Sequence, residues 1–323
     1  GKVFARGRDP FFPAWPDVLQ LNAFGDGHRK AVVETLSKIA QQSDGVRCDM
    51  AMLMMNQTFE RTWGHCAGER PAEEYWTSTI STIKKKFSDF LFMAEAYWDL
   101  EWELQQQGFD YCYDKRLYDR LEHDSTENVN LHLLAESDYQ NRLTRFLENH
   151  DEPRAASAFP WNRDRAAAVT TYMLPGAKLF HEGQFVGKKI RLPVFLGRSP
   201  IEPDDSNLLD FYRTLVKAST HEAIRSGIFQ LCERSGWPDN ESYRNLVAFC
   251  WHETNHKLLI ITNLSDSSAQ GFIWPPSAMS KGGLWKMTDL FTGRTYEHHS
   301  DDKHPNGVFV DLPARGYHVF DIR

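Results

Sequence analysis

Three acidic residues, each following a short apolar run, have the type and spacing needed for chemistry. Asp49 ends the segment DGVRCD, Glu95 ends FLFMAE, and Asp151 ends RFLENHD. Acids at the carboxyl ends of successive strands of a parallel barrel converge on one pocket. Two carboxylates about 5 Å apart are the apparatus of retaining glycoside hydrolysis. The pattern therefore predicts a carbohydrate-cleaving site built on these acids.

The neighbours of the first two acids predict different roles for them. A strand places residues i and i+2 on one face, so Arg47 lies beside Asp49 and favours its charged form, as a nucleophile requires. Glu95 follows an apolar run and precedes Tyr97 and Trp98. An apolar setting favours a protonated carboxyl, which suits a general acid. Both aromatic residues are candidates for stacking on a sugar, with core packing as the alternative for each.

The third acid lies in a polar cluster. Asn149 and His150 directly precede Asp151, and such side chains can bind sugar hydroxyls. A lone Asp after a strand is most often a helix cap or a turn residue. The combination of three strand-end acids, in this order, is what favours the catalytic interpretation.

The elements expected to position these residues alternate between strands and helices. Helical spacing or breaker residues predict helices over 28–42, from Pro71 to about 87, over 97–108, 115–122, 132–143 and 163–173, and a long helix within 207–235. Strands are predicted over 46–48, 91–94, 109–113, 146–148 and 177–181. Such alternation is typical of βαβ units and a parallel sheet.

The predicted secondary structure changes from alternating strands and helices to strands alone after about Tyr243. Short strands separated by turns are predicted over 246–249, 258–263, 271–274, 284–287, 308–312 and 317–322. We therefore expect two domains: a catalytic α/β domain over residues 1–243 and a C-terminal β-sandwich domain over residues 244–323.

The composition limits the class of protein. The chain of 323 residues has 37 Lys and Arg against 44 Asp and Glu, a net charge of −7, which argues against a nucleic-acid partner. No apolar run is long enough to span a membrane. Five scattered cysteines lack metal-binding spacing, so reduced thiols are expected, and these weakly favour the cytoplasm without establishing it.

The three segments resemble conserved regions two, three and four of the α-amylase superfamily of glycoside hydrolases (family 13). The resemblance implies that Asp49 is the nucleophile, Glu95 the general acid/base and Asp151 a transition-state stabiliser. It also implies that Arg47 positions Asp49 and that His150 binds ring hydroxyls. No cofactor is predicted.

Further segments extend the resemblance over nearly the whole chain. LQLN (19–22) resembles the fifth region of that family, LPGAKLFHEGQ (174–184) resembles the eighth barrel strand with its following loop, and the terminal β segment resembles the domain after the barrel. The implied fold is a partial (β/α)₈ TIM barrel, strands four to eight, followed by an all-β domain.

Two features depart from the family pattern. The first conserved region has no counterpart, so the chain is expected to begin in the segment after the third strand. Open sheet edges then predict self-association or a complementing N-terminal segment. Met52 and Leu53 replace the Lys-His that amylases commonly carry after the nucleophile, which predicts a less polar leaving-group side. Calcium, frequent in the family, is not predicted here.

The sequence thus predicts a retaining glycoside hydrolase or transglycosylase that acts on α-glucosidic bonds of an α-glucan or maltooligosaccharide. The alternative is a non-catalytic fragment or pseudoenzyme that keeps the fold and a glycan-binding surface but needs an N-terminal segment for activity.

Overall fold

The computed structural model describes residues 3–159, 163–193, 197–279, 283–300 and 307–323. The chain divides into two compact units. The first comprises residues 1–115 with 142–144, and the second comprises residues 116–141 with 145–323.

A five-stranded sheet carries the first two acids. Its strands follow the order β1 to β5 without a crossover, and β1 to β4 pair in parallel. Gly45 is needed where β1 begins, because a Cβ there would lie 2.7 Å from the carbonyl oxygen of Leu91. The strands are β1 (Gly45–Cys48), β2 (Leu91–Ala94), β3 (Tyr111–Tyr113), β4 (Leu143–Arg145) and β5 (Ala177–Lys178).

Helices follow most of these strands, as the alternating pattern predicted. Buried apolar residues of the first unit, including Leu36, Ile80 and Phe92, form one core between helices and sheet. The helices are α1 (Asp26–Ile39), α2 (Asn56–Ala67), α3 (Tyr75–Lys84), α4 (Glu101–Gln106), α5 (Lys115–His123), α6 (Thr126–His132), α7 (Ser137–Asn141), α8 (Ala155–Ala158), α9 (Arg163–Tyr172), α10 (Ser206–Ser219) and α11 (Glu222–Ser226).

Two helices of the first unit begin later than predicted. The helix expected from Pro71 begins at Tyr75, because Glu74 before it has an extended backbone conformation. The Glu74 carboxylate accepts the backbone N–H of Asn56 at the start of α2. The helix expected over 97–108 is shortened to α4, since Trp98 and Asp99 have left-handed φ angles of 64° and 61°. Helix α2 was not predicted.

Three predictions in the second unit were also wrong. The helix expected over 132–143 is replaced by α6 and α7, because Ser125 caps a helix that starts earlier. The strand expected over 146–148 is β4, which ends at Arg145. The long helix expected within 207–235 ends at Ser219. A short capped helix and two strands take the remaining residues.

The C-terminal part consists of two antiparallel sheets. One has the order β13-β10-β7 and the other the order β12-β11-β14-β9-β8-β6. Apolar residues of both sheets pack into a shared core, as expected for a sandwich. The strands are β6 (Ile228–Leu231), β7 (Glu233–Ser235), β8 (Leu246–His252), β9 (Lys257–Asn263), β10 (Ala269–Trp274), β11 (Gly283–Asp289), β12 (Thr295–Ser300), β13 (Val308–Leu312) and β14 (Tyr317–Ile322).

The six C-terminal strands predicted from sequence are confirmed, although several are longer than predicted, and β12 was missed. Strands β6 and β7 also join the antiparallel sheets. The domain boundary at residues 243 and 244 stays a prediction. None of the helices in the described ranges is long and apolar enough to cross a membrane.

Candidate active site

The ends of β1 and β2 place Asp49 and Glu95 side by side. The parallel register pairs Cys48 with Ala94, and each acid directly follows one of these residues. Backbone hydrogen bonds continue past the strand ends, from Glu95 N to Cys48 O at 3.0 Å and from Ala51 N to Glu95 O at 3.1 Å. The two acids are therefore held at the same edge of the sheet, as the strand-end pattern predicted.

Arg47 contacts both carboxylates. Its Nη1 donates to Asp49 Oδ1, and its Nη2 lies 3.0 Å from Glu95 Oε2. The guanidinium also lies over the Tyr113 ring, 5.6 Å from its centroid. Burial alone lowers the pKa of Arg47, but contacts with Tyr113, Glu95 and Asp49 raise it overall. A permanent cation is thus fixed between the two acids, and the role of Arg47 in positioning Asp49 stays a prediction.

The surroundings of Glu95 differ from the apolar setting that the sequence suggested. Glu95 is buried, yet its Oε2 accepts the backbone N–H of Met50 at 2.6 Å and its Oε1 accepts the Tyr97 hydroxyl at 3.0 Å. With Arg47, three donors reach the carboxylate. Tyr97, which was predicted to contact sugar, therefore contacts the Glu95 carboxylate through its hydroxyl.

Trp98 lies in a strained backbone segment. It and Asp99 both have left-handed φ angles, which cost a non-glycine residue about 1–2 kcal/mol each. The Trp98 ring packs edge-on against Phe11, with the ring centroids 4.8 Å apart. Such strain clusters at functional sites, so Trp98 stays a candidate for sugar stacking.

The two sides of Asp49 differ in exposure. Its side chain is 78% exposed, whereas the turn that follows it is buried at Ala51 and Met52. Met50 adopts a left-handed conformation that starts this turn. Met52 therefore belongs to the core, whereas Leu53 is half-buried. A less polar leaving-group side stays a prediction.

The third acid belongs to the second unit, and its convergence with the other two stays a prediction. Asp151 follows β4 by several residues and does not lie directly at the strand end. The Asn149 side chain shapes this segment, since its Oδ1 accepts the backbone N–H groups of Asp151 and Glu152 at 2.9 Å each. His150 Nε2 lies 3.0 Å from Asp151 Oδ2. The structure thus brings together the predicted polar cluster.

A buried network behind this cluster was missed by sequence reasoning. Glu148 is fully buried, and its Oε1 lies 3.0 Å from Arg154 Nη1 and 3.2 Å from His181 Nδ1. Its Oε2 accepts the backbone N–H of Ala155 at 2.6 Å. Burial raises the pKa of Glu148 to about 7. The only signal in the sequence was an acid directly before the Asn-His-Asp cluster.

The described residues contain no group of three or more His, Cys, Asp or Glu side chains that could hold a metal ion. All five cysteines are free thiols. The expectation that the site works without calcium or another cofactor stays a prediction.

No protein-family profile and no curated protein sequence matches this chain. Solved structures do match it. A maltogenic α-amylase from Thermotoga neapolitana is similar with a TM-score of 0.71 at 17% identity, and the match covers 94% of this chain and 68% of that chain.

Two further structures give the same result. An α-amylase from Lactobacillus plantarum has a TM-score of 0.68 at 19% identity, covering 95% of this chain and 68% of that one. An α-amylase from Geobacillus thermoleovorans, complexed with acarbose, has a TM-score of 0.70 at 13% identity, covering 99% and 71%. The predicted fold class is confirmed: part of a (β/α)₈ barrel followed by an all-β domain.

Proposed function

We propose that this chain is the catalytic part of a retaining glycoside hydrolase or transglycosylase that acts on α-glucosidic bonds. The observation that carries the proposal is the arrangement of Asp49 and Glu95 on adjacent strand ends with Arg47 between them. Likeness in fold to enzymes named α-amylase supports the substrate class, an α-glucan or a maltooligosaccharide.

In the proposed reaction, Glu95 protonates the glycosidic oxygen while Asp49 attacks the anomeric carbon. The leaving sugar departs with that proton, and a covalent glycosyl ester forms on Asp49. Glu95, now a carboxylate, then removes a proton from water or from an acceptor sugar, which displaces Asp49 and restores both acids. An acceptor sugar that outcompetes water makes the enzyme a transglycosylase. Asp151 is proposed to stabilise the positive charge of the transition state.

Arg47 has two tasks in this scheme. Its Nη1 donates to Asp49 Oδ1 and so holds this carboxylate in place for attack on the anomeric carbon. It also shares the charge that moves between the two carboxylates, because one guanidinium nitrogen faces each of them. The Tyr97 hydroxyl and the Met50 N–H fix the orientation of the Glu95 carboxylate. A fixed orientation lowers the entropic cost of proton transfer.

The test is turnover of maltooligosaccharides and of a nitrophenyl α-glucoside by the chain and its variants. Asp49→Asn should reduce kcat by about 10³-fold or more, within the range for loss of a catalytic nucleophile. Glu95→Gln should reduce it by roughly 10²–10⁴-fold. The matched control is Asp44→Asn, since Asp44 is an exposed acid at the other end of β1.

The anomeric configuration of the first product, followed by proton NMR, distinguishes a retaining from an inverting mechanism. An α-anomer formed from an α-glucoside supports the double displacement. A β-anomer, or turnover that survives Asp49→Asn, overturns it.

A non-catalytic glycan-binding protein is the second candidate. The observation in its favour is the 78% exposure of the Asp49 side chain, since a nucleophile works best where water is excluded. Binding of maltoheptaose by the chain with no turnover, unchanged by Asp49→Asn, would support this candidate.

A further inference from the structure

The three-stranded sheet of the second unit carries aromatic rings on its outer face. In its antiparallel register Ile273 pairs with Val308, and both belong to the sandwich core, so their neighbours along the strands point outwards. These outward positions hold Phe272 and Trp274 on β10 and Phe309 on β13. An antiparallel sheet with one solvated face normally places polar side chains there, and this face departs from that pattern.

The three rings and Trp237 form one cluster, which we call the aromatic face. Phe272 lies at its centre, and its ring centroid is 5.7 Å from that of Phe309, 6.2 Å from that of Trp237 and 6.5 Å from that of Trp274. Phe309 is 53% exposed, and the other three side chains are half-buried. Single exposed rings are common, whereas a contiguous apolar patch indicates a binding surface.

Contacts around the aromatic face hold its rings in place. Trp274 Nε1 donates to Ser235 Oγ on β7 at 2.8 Å, so the indole is fixed against the neighbouring strand. Gly307 makes the close packing possible, because a Cβ there would lie 2.9 Å from both Phe272 Cβ and a ring carbon of Trp274. Binding to rings that are already fixed costs less side-chain entropy than binding to mobile ones.

The charged side chains on the same face of these three strands are both acidic. Glu233 pairs with Trp274 and Asp311 pairs with Gln270, which places both acids on the side of the rings, and both are exposed. Arg234 points to the other side of β7, where it donates to a backbone carbonyl oxygen. A face with this charge repels nucleic acid and anionic lipid, and it therefore favours a neutral ligand.

Polar groups beside the rings can bind hydroxyl groups. Gln270 and Asp311 lie directly opposite each other on β10 and β13. Asn240 Nδ2 donates to Gln270 Oε1 at 3.1 Å and so orients this amide. An amide NH2 group donates and a carboxylate accepts hydrogen bonds. Rings beside a few oriented polar groups suit a sugar, which has apolar C–H faces and a rim of hydroxyl groups.

The size of the aromatic face favours a narrow ligand. Three strands about 4.8 Å apart, with a rise of about 3.3 Å per residue along β10, give an area of roughly 200–300 Å². A stable protein–protein interface needs about 800 Å² on each partner. The face is therefore too small to hold a second protein by itself, but it is large enough for a short stretch of a polysaccharide chain.

We propose that the aromatic face is a binding surface for an α-glucan chain, built from none of the residues of the candidate active site. Sugar rings stack on Phe309, Phe272 and Trp237, and Gln270 with Asp311 binds hydroxyl groups. The identity of the glucan rests on the proposed function. Attachment at a second surface raises the local concentration of a polymeric substrate, which a short oligosaccharide does not gain.

The test is native electrophoresis in gels that contain soluble amylopectin, which measures binding without turnover. Phe309→Ala should raise the dissociation constant roughly fivefold, and addition of Trp237→Ala should raise it more than about tenfold, because each change removes a stacking ring. Phe309→Tyr keeps the ring and should bind within about twofold of the unsubstituted chain. The control is Tyr296→Ala, which removes a 39% exposed ring from the other antiparallel sheet.

Three results would each overturn the proposal. They are unchanged retardation of the Phe309→Ala and Trp237→Ala double variant, equal retardation of the unsubstituted chain by hydroxyethyl cellulose, and loss of self-association in that variant without loss of amylopectin binding. Sedimentation velocity measures the last of these.

Failure of the proposed function gives a different result. Retardation that depends on the rings, without turnover of a nitrophenyl α-glucoside, supports the aromatic face and contradicts only the proposed catalysis. Turnover that is equal in the unsubstituted chain and in Phe309→Ala, together with retardation that depends on the rings, supports both.

Discussion

At the scale of single residues, Arg47 connects the two acids of the first unit. The sequence placed it beside Asp49 through the two-residue period of a strand. Its second contact, with Glu95, comes from a neighbouring strand and depends on the register between β1 and β2. An arginine suits this position because its planar fork can face two carboxylates at once, whereas a lysine offers one point charge.

Replacement of Arg47 by lysine should therefore impair catalysis without abolishing folding. A hydrogen bond to a charged group is worth about 1.5–3 kcal/mol, so losing one of the two contacts should lower kcat/KM roughly 10- to 100-fold. Steady-state kinetics on a maltooligosaccharide measures the effect. Arg213→Lys, at an exposed pair with Asp210, is the control. Equal rates for the two variants would refute a bridging role.

At the scale of elements, Glu148 ties together three segments. It follows β4, accepts the first backbone N–H of α8 at Ala155, and contacts His181 after β5. These contacts surround the turn that carries the third acid. The strand prediction over 146–148 was wrong because a run of apolar residues there is buried in a loop, which hydrophobicity alone cannot distinguish from a strand.

The pH dependence of stability should report on Glu148. Its pKa is raised from the usual 4.5 to about 7, so the folded state binds the proton more tightly than the unfolded state. Its contribution to stability is complete below pH 4.5 and is lost as the pH rises through 7. Relative to Glu148→Gln, the free energy of unfolding should fall by about 3 kcal/mol over this interval.

Urea denaturation at several pH values measures this difference. The control is Glu241→Gln, at a mostly exposed acid on the surface of the same unit. The difference in unfolding free energy between the protein and this variant should not change over the same pH range. A difference between the protein and Glu148→Gln that stays constant from pH 4.5 to 7.5 would contradict the prediction.

At the scale of the whole molecule, a strand at the end of the sheet and exposed apolar side chains offer surfaces for association. Strand β1 lies at the end of the sheet order in the described residues. The N-terminal segment exposes large apolar side chains, among them Phe4, Phe12, Leu19 and Leu21, each more than half exposed. Such surfaces usually mark an interaction site or promote self-association.

Charged substitutions in this segment should therefore reduce self-association. Burial of one leucine is worth about 1.5–3 kcal/mol, so Leu19→Glu should raise the dissociation constant of a homodimer about tenfold or more. Sedimentation velocity over a range of concentrations measures it. Leu134→Glu, at a similarly exposed leucine of the second unit, is the control. A chain that is monomeric at every concentration would disprove the prediction.

The sequence by itself determined the two acids and the strands that carry them, whereas the barrel fold was implied by the resemblance of its motifs. The acids and strands depend on local spacing: Asp49 and Glu95 each directly follow an apolar strand, and the period of a strand places Arg47 on the same face as Asp49. The β domain could be predicted for the same reason, since short strands separated by turn residues are a local pattern in the sequence.

Only the tertiary structure decided how distant residues meet. Arg47 reaches Glu95, and Glu148 joins Arg154 and His181, across chain separations that carry no periodic signal. Side-chain capping at Ser125 also starts a helix earlier than periodicity predicted. The contacts that orient the candidate catalytic groups arise from packing and burial, which a one-dimensional pattern does not contain.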